Sequence, residues 1–181
     1  MRETEGTLDG DGLRVAVVVS RFHDDITGGL LRGALATLRE RGVAEDAIHV
    51  VHVPGALELA LATQQVLRAE KPDAAVVLGC VIRGETDHYD FVCAETTRGC
   101  GKVALEHDTP VLFGLLTCDT LAQALARSGD GAGNKGAECA EGALRMATLA
   151  KTVRDGGKGG PMGFGNSGSS AGGAGTSGDA S

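Results

Sequence analysis

The chain has 181 residues, of which 42% are hydrophobic, and a formal net charge of −7 at pH 7. This length and hydrophobic content predict one globular domain with a substantial core. The negative charge argues against nucleic acid or an anionic membrane surface as a partner, although a local basic pair would still hold a small anion.

From residue 13 to residue 155, short apolar runs that predict strands alternate with helical patterns. The predicted order is strand 13–19, helix 26–41, strand 47–53, helix 56–70, strand 74–78, helix 88–107, strand 110–116, helix 120–127 and helix 135–153. Because the strands are apolar on both faces, helices must cover both sides of a parallel sheet. The sequence therefore predicts an α/β fold, a three-layer flavodoxin-like sandwich with a four-stranded parallel sheet flanked by helices.

The two ends of the chain differ in composition from this single domain at 13–155. Residues 1–12 contain three glycines and predict either a flexible segment or an edge strand. Residues 156–181 are rich in Gly, Ser and Ala and cannot bury enough apolar surface to offset the entropy of ordering. We therefore expect a disordered tail after the folded domain.

The start of the chain and its cysteines predict a cytoplasmic protein. The opening residues are too polar and too acidic for a signal peptide, and the apolar runs are too short to span a membrane. The five cysteines are odd in number and include no C-x-x-C pair, a pattern typical of free thiols in a reducing compartment.

The stretch 79–88, which follows the predicted strand at 74–78, is the strongest candidate for a functional loop. Ligands of parallel α/β sheets bind at the carboxyl ends of the strands, where helix amino termini face them. Thr86 is placed to cap the next helix, and His88 falls in its first turn. An imidazole there suits acid–base chemistry, but a surface histidine after an ordinary turn explains the pattern equally well.

Two further candidates follow the first two predicted strands at the same edge of the sheet. Phe22 is placed either to stack on a planar ligand or to pack in the core beneath the next helix. Glu58 lies in a first helical turn, where the helix dipole stabilises a carboxylate whatever its role. As a ligand group, Glu58 would accept hydrogen bonds from the hydroxyls of a polyol.

A basic pair flanks the Gly-rich loop between the last two predicted helices. Arg127 ends one helix and Lys135 begins the next. The pair is placed either to bind a phosphate or carboxylate between its two charges or to remain as two solvated loop cations. The spacing does not match a P-loop. No metal site is expected, because His49 and His52 point to opposite faces of a strand.

Five motifs in register over residues 13–154 resemble the 6,7-dimethyl-8-ribityllumazine synthase family of riboflavin biosynthesis. They are Ser20-Arg21-Phe22, the stretch 53–58 (Val-Pro-Gly-Ala-Leu-Glu), the stretch 79–92, the stretch 113–117 with Gln123 and Arg127, and Gly133-Asn134-Lys135-Gly136. The resemblance implies condensation of 5-amino-6-(D-ribitylamino)uracil with 3,4-dihydroxy-2-butanone 4-phosphate by a transferase that needs no metal and no organic cofactor.

The resemblance also implies roles for individual residues. It assigns the ribitylaminouracil site to Phe22, Ala56, Leu57, Glu58, Cys80, Val81, Ile82 and Phe113. It assigns the butanone phosphate to Glu85, Thr86, Arg127 and Lys135, and proton transfer to His88. By the same resemblance Phe22 stacks on the pyrimidine ring, Glu58 accepts the ribityl hydroxyls, and Phe113 closes the pocket of an adjacent subunit.

An assembled particle is implied as well. Family members form homopentamers, and the short loop 128–133 resembles that of members whose pentamers close into sixty-subunit icosahedral shells. Riboflavin synthase is a further candidate partner beside the two small-molecule substrates. The chain departs from the family pattern at His23, Leu57, Cys80 and Ala126. The departures at His23 and Ala126 affect the expected substrate affinity but not the reaction, and Cys80 is tolerated if its contact is made through the backbone.

Three other functions fit the sequence less well. An archaeal-type riboflavin synthase would need no phosphate pocket, so the presence of Thr86 and Arg127 argues against it. A shell or flavin-binding protein without catalysis would not require His88 together with Phe22 and Glu58. A receiver domain needs an acidic cluster at the strand ends, where this chain has Ser20-Arg21.

Overall fold

The computed structural model describes residues 1–156 and contains one parallel sheet. Its strands are β1 (Val15–Ser20), β2 (Ile48–Val53), β3 (Ala74–Ile82) and β4 (Val111–Cys118). They lie in the order β2-β1-β3-β4, and every neighbouring pair is parallel. The predicted four-stranded parallel sheet is confirmed, with β2 and β4 at its edges.

Five helices cover the two faces of this sheet, which confirms the predicted three-layer arrangement. They are α1 (Asp24–Glu40), α2 (Glu58–Glu70), α3 (His88–His107), α4 (Leu121–Ser128) and α5 (Lys135–Gly156). Apolar residues of α1, α4 and α5 share one core cluster with the sheet, whereas those of α2 and α3 form clusters on the opposite face. The short helical turn Glu45–Ala47 precedes β2.

The strands are buried on both sides because their side chains alternate between the two helix layers. In β1, Val17 and Val19 pack in the cluster that contains α1 and α5, while Val18 packs with α2 and α3. All six residues of β1 are buried. This explains why the strands read as continuous apolar runs rather than as an alternating pattern.

Strand β3 continues four residues beyond its predicted end. Its pairing with β4 runs on from Gly79 opposite Leu115 to Ile82 opposite Cys118. The sequence predicts a turn that starts at Gly79, but the missing side chain of this glycine serves packing instead, since a Cβ there would lie 2.6 Å from Leu115 Cδ1. Residues 79–82 therefore form the end of a strand, and the loop begins after them.

Residues 1–14, before β1, contain no strand, so the edge strand offered as one alternative is not formed within this chain. Part of this segment lies on α5: the Thr7 backbone N–H donates to Thr148 Oγ1 at 2.8 Å, and the Thr148 hydroxyl donates to Thr7 O at 3.1 Å. At the other end, Gly156 is the last residue of α5. The rest of the predicted tail lies outside the described residues.

The buried side chain of Asn134 joins three helices. Its amide nitrogen lies 3.0–3.2 Å from three carbonyl oxygens, those of Gly29 in α1, Ser128 at the end of α4, and Gly129. Its Oδ1 accepts hydrogen bonds from the first turn of α5, from the backbone N–H groups of Gly136 at 2.8 Å and Ala137 at 3.1 Å. Both polar groups of the buried amide are therefore satisfied, and α5 is capped.

Gly33→Ala and Gly28→Ala, both inside α1, should change stability in opposite directions. A Cβ at Gly33 would lie 2.3 Å from Asn134 Oδ1, so overpacking should lower the free energy of unfolding by about 1–3 kcal/mol. At Gly28 the nearest heavy atom is Arg32 Nη1 at 3.7 Å, so this control should gain up to about 1 kcal/mol of helix propensity. Urea unfolding of both variants measures the difference, and equal midpoints would contradict the close packing of Gly33 against Asn134.

Candidate active site

A cavity of about 360 Å³ lies at the carboxyl ends of β1, β2 and β3 and beside the start of α3. We call it the first pocket. Most of the residues predicted for the site line it: Phe22, Ala56, Leu57, Glu58, Cys80, Val81, Ile82, Thr86 and His88. These residues come from three separate loops or strand ends, which a parallel sheet brings to the same edge.

A second pocket of about 530 Å³ lies along the edge strand β4 and between α4 and α5. It brings together Phe113, Arg127 and Lys135. The two pockets have no lining residue in common, and Glu85 lines neither of them. Within one chain the structure therefore separates Thr86 from Arg127, two residues that were expected to bind the same phosphate.

Phe22 is held at the rim of the first pocket by backbone hydrogen bonds. The Arg21 N–H donates to Val53 O at 2.8 Å, and the Phe22 N–H donates to Pro54 O at 3.2 Å, so the loop after β1 is fixed to the end of β2. His23 follows with a left-handed φ of 60° and turns the chain into α1. The Phe22 side chain is 66% exposed, so it is not a core residue in this chain.

Glu58 has a visible structural role. Its Oε2 accepts a hydrogen bond from the backbone N–H of Gly55 at 2.9 Å, which closes the turn before α2. The same side chain is exposed and lines the first pocket. The carboxylate can therefore hold the turn and also accept hydrogen bonds from a ligand, because each of its oxygens has more than one acceptor site.

His88 is the first residue of α3, as predicted, and its side chain is exposed at the edge of the first pocket. The predicted cap is wrong: Asp87 occupies the N-cap position in helical conformation, and no side chain makes a capping hydrogen bond. The chain enters α3 from Asp87, which leaves Thr86 outside the helix. Thr86 is thus available to the pocket rather than to the helix.

Arg83 forms a cluster that sequence reasoning missed. Its two terminal nitrogens lie 3.1 and 3.2 Å from the carboxylate oxygens of Asp90, and its Nε donates to Asp119 Oδ1 at 3.1 Å. The guanidinium carbon lies 4.0 Å from the centre of the Tyr89 ring. Hydrogen bonds to Asp90 and then to Asp119 raise the pKa of Arg83 above its ordinary value, so the group stays charged.

In the second pocket the two cations differ in their partners. Arg127 Nη1 donates to the Gln123 carbonyl at 2.9 Å, and no carboxylate among residues 1–156 forms an ion pair with Arg127. Lys135 is paired with Glu138, one helical turn along α5. Arg127 therefore offers the less compensated positive charge, and the pocket suits an anion such as phosphate.

Cys80 lines the first pocket but is not a nucleophile. It is only 2% exposed, and burial, assisted by the neighbouring Cys118 thiol, raises the pKa of Cys80 to about 12. The thiol is therefore protonated at neutral pH, and the thiolate that would attack an electrophile is absent. A ligand at this point meets the backbone of β3 and a small neutral side chain.

The described part of the chain shows no group of three or more His, Cys, Asp and Glu side chains placed to hold a metal ion. His49 instead pairs through Nδ1 with Glu70, at 2.8 Å.

The same part of the chain has no helix whose length and apolar content would let it cross a membrane.

A family model described as 6,7-dimethyl-8-ribityllumazine synthase matches residues 12–151 of this chain. The match covers well over half of the 181 residues and includes every residue of both pockets discussed above.

The free energy of unfolding should fall as pH rises above about 9, because two buried thiols and one partly buried thiol keep their protons. Burial raises the pKa of Cys80 to about 12 and the pKa values of Cys100 and Cys139 to about 11, from an ordinary value of 9.0. The unfolded chain loses these protons first, so stability is complete below pH 9 and is lost towards pH 11. Urea unfolding across this range measures the slope, which should be shallower in Cys100→Ala; an unchanged slope would contradict the assignment.

Proposed function

The chain belongs to the 6,7-dimethyl-8-ribityllumazine synthase family, and from that membership we propose how its two pockets divide the reaction between them. The family consists of transferases of riboflavin biosynthesis. Their reaction joins 5-amino-6-(D-ribitylamino)uracil to 3,4-dihydroxy-2-butanone 4-phosphate and gives 6,7-dimethyl-8-ribityllumazine, phosphate and water. Two substrates must therefore be held in contact.

One observation carries the proposed division: the predicted residues fall into two pockets that share no lining residue. A complete site would form where the first pocket of one subunit meets the second pocket of the next. Apolar side chains around the second pocket support this, since Phe113, Leu121 and Leu125 are all exposed. Exposed apolar patches are typical of protein interfaces. A head-to-tail contact closes into a ring when the rotation between successive subunits divides a full turn evenly, and we propose that it does so here.

The first pocket is proposed to bind the ribitylaminouracil. The exposed ring of Phe22 would stack on the pyrimidine, and Cys80, Val81 and Ile82 would offer mainly backbone groups to its edge. Ala56, Leu57 and Glu58 would hold the ribityl chain, whose hydroxyls would donate to the Glu58 carboxylate. Phe113 of the next subunit would close the pocket over the ring. The mixture of apolar walls and few polar groups is typical of small-molecule sites.

His88 is proposed to transfer protons. The substrate amine attacks the ketone and water leaves to form an imine; phosphate is then eliminated, and the second amine closes the ring with loss of another water. Each step moves a proton, and none requires a strong nucleophile from the protein. The exposed His88 at the pocket edge would perform these transfers, while the orientation of both substrates supplies much of the remaining acceleration.

The phosphate is proposed to bind between subunits. Arg127 and Lys135 of the second pocket would approach Glu85 and Thr86 of the neighbouring subunit. Because a carboxylate repels phosphate, Glu85 is expected to contribute its backbone N–H, and Thr86 its hydroxyl. Arg127 would carry most of the charge, since Glu138 already partners Lys135.

We also propose a homopentamer, with closure of pentamers into a sixty-subunit shell and association with riboflavin synthase as further steps, in the cytoplasm. Six residues connect α4 and α5, and the Asn134 side chain holds this connection close to the end of α4 by a hydrogen bond to Ser128 O. The connection supports the proposed shell because it adds no protruding loop. Sedimentation of the purified particle separates a pentamer from a shell by its mass.

His88→Ala should lower kcat by about 10²–10⁴-fold with little change in the KM of either substrate, because it removes proton transfer and not binding. The rate of fluorescent lumazine formation measures this. His107→Ala, at the opposite end of the same helix, is the matched control and should keep the wild-type rate. Equal rates for the two variants would remove His88 from its proposed role.

Mixed rings should recover activity that neither parent variant has. If His88→Ala and Arg127→Ala subunits assemble at random in equal amounts, about one interface in four carries both intact side chains. Mixing His88→Ala with Phe22→Ala is the control and should recover nothing, because both changes damage the first pocket. Lumazine formation by co-expressed subunits is the measurement. Recovery that is absent from both mixtures, or equal in both, would contradict a site shared between subunits.

A further inference from the structure

Arg83 lies between the two pockets and lines neither. Arg83 follows the last residue of β3. Its backbone N–H donates to the carbonyl oxygen of Cys118, the last residue of β4, at an N···O distance of 2.9 Å. The backbone of Arg83 is thus fixed where two strands end. From this point its side chain reaches Asp90 in α3 and Asp119 in the loop before α4.

One arm of the Arg83 side chain ties down the first turn of α3. The paired contacts to Asp90, at 3.1 and 3.2 Å, form a two-pronged carboxylate–guanidinium geometry. The guanidinium also covers the ring of Tyr89 at 4.0 Å. These two residues directly follow His88, so the arm fixes the turn that carries the proposed proton-transfer group.

The other arm leads to α4. Arg83 Nε contacts Asp119, the residue after β4, and the Asp119 backbone N–H donates to Gln123 Oε1 at 2.8 Å. The backbone carbonyl oxygen of Gln123 accepts a hydrogen bond from Arg127 Nη1 at 2.9 Å. Three hydrogen bonds, joined through the covalent structure of Asp119 and Gln123, therefore connect Arg83 to the proposed phosphate-binding group.

We propose that Arg83 is a positioning residue that holds His88 of the first pocket and Arg127 of the second pocket at a fixed separation within one subunit. The inference rests on the proposed function, because it assigns Arg83 to the alignment of those two groups. Arg83 itself touches no substrate. It sets where the two half-sites of a subunit stand relative to the substrates that each receives.

The expected effect is kinetic rather than structural. The side chain of Arg83 is 44% exposed, and ion pairs at such positions add little to folding stability. Position is more sensitive, since a shift of about 1 Å in a catalytic group can cost about 10²-fold in rate. The planar guanidinium of Arg83 makes three hydrogen bonds to carboxylates and one contact to an aromatic ring. It therefore restricts the position of its partners more than a lysine ammonium would.

Steady-state kinetics with variants on each arm tests the proposal. Asp90→Asn should lower kcat about tenfold and shift the pH profile of kcat, with the KM of the butanone phosphate near wild type. Asp119→Asn should raise that KM about tenfold with kcat near wild type. Arg83→Gln should show both effects. Arg98→Gln is the matched control, because it breaks an exposed ion pair between Arg98 and Glu95, both on α3, and should change neither kcat nor KM.

The outcomes are distinct. Constants within about twofold of wild type for Arg83→Gln and both aspartate variants would overturn the proposal. So would an Arg83→Lys variant that matches wild type while Arg83→Gln fails, because charge alone would then suffice. His88→Ala and Arg127→Ala are measured in the same assay. If these two variants also match wild type, the proposed function fails as well. If they lose activity while the Arg83 and aspartate variants keep it, only the role of Arg83 is overturned. Far-ultraviolet circular dichroism and sedimentation confirm that each variant folds and assembles.

Discussion

The amide side chain of Asn134 is the contact on which the second pocket depends. Arg127 lies at the end of α4 and Lys135 at the start of α5, and neither position is defined by the sheet. One buried amide closes the last turn of α4, caps α5 and reaches the backbone of α1. Because a buried polar network is stable only when fully satisfied, all three helices must be in place together. An uncharged residue thus fixes the positions of two cations.

The first pocket is built differently. Its walls come from strand ends, which the parallel sheet aligns, and from loops fixed by backbone hydrogen bonds such as those of Arg21 and Phe22 to the end of β2. The two pockets therefore differ in what sets their walls. The sheet and its backbone hydrogen bonds set most of the first pocket, whereas the second also depends on the buried Asn134 side chain, which does not line it.

Local patterns predicted the sheet, the helices and, in the first pocket, Phe22, Glu58 and the stretch 79–88, because these follow from periodicity and from the rule that ligands meet the carboxyl ends of strands. Ala56 and Leu57 were predicted only by the family resemblance. The helix at 88–107 has the predicted bounds. Local patterns misplaced the end of β3, since Gly79 marks a turn in sequence and a close contact in the fold. They also missed Arg83 and Asn134. Arg83 contacts a residue 36 positions away and Asn134 one 105 positions away, distances at which no local spacing carries information.

Cys80 illustrates what burial does beyond packing. Oxidants attack the thiolate, and a thiol whose pKa is about 12 offers almost none at neutral pH. The Cys80 thiol at the wall of the first pocket is therefore slow to form a sulfenic acid at neutral pH. Cys100 and Cys139, whose pKa values are about 11, share this protection. Of the five free cysteines, the three with the most strongly raised pKa values are therefore the least reactive towards oxidants at neutral pH.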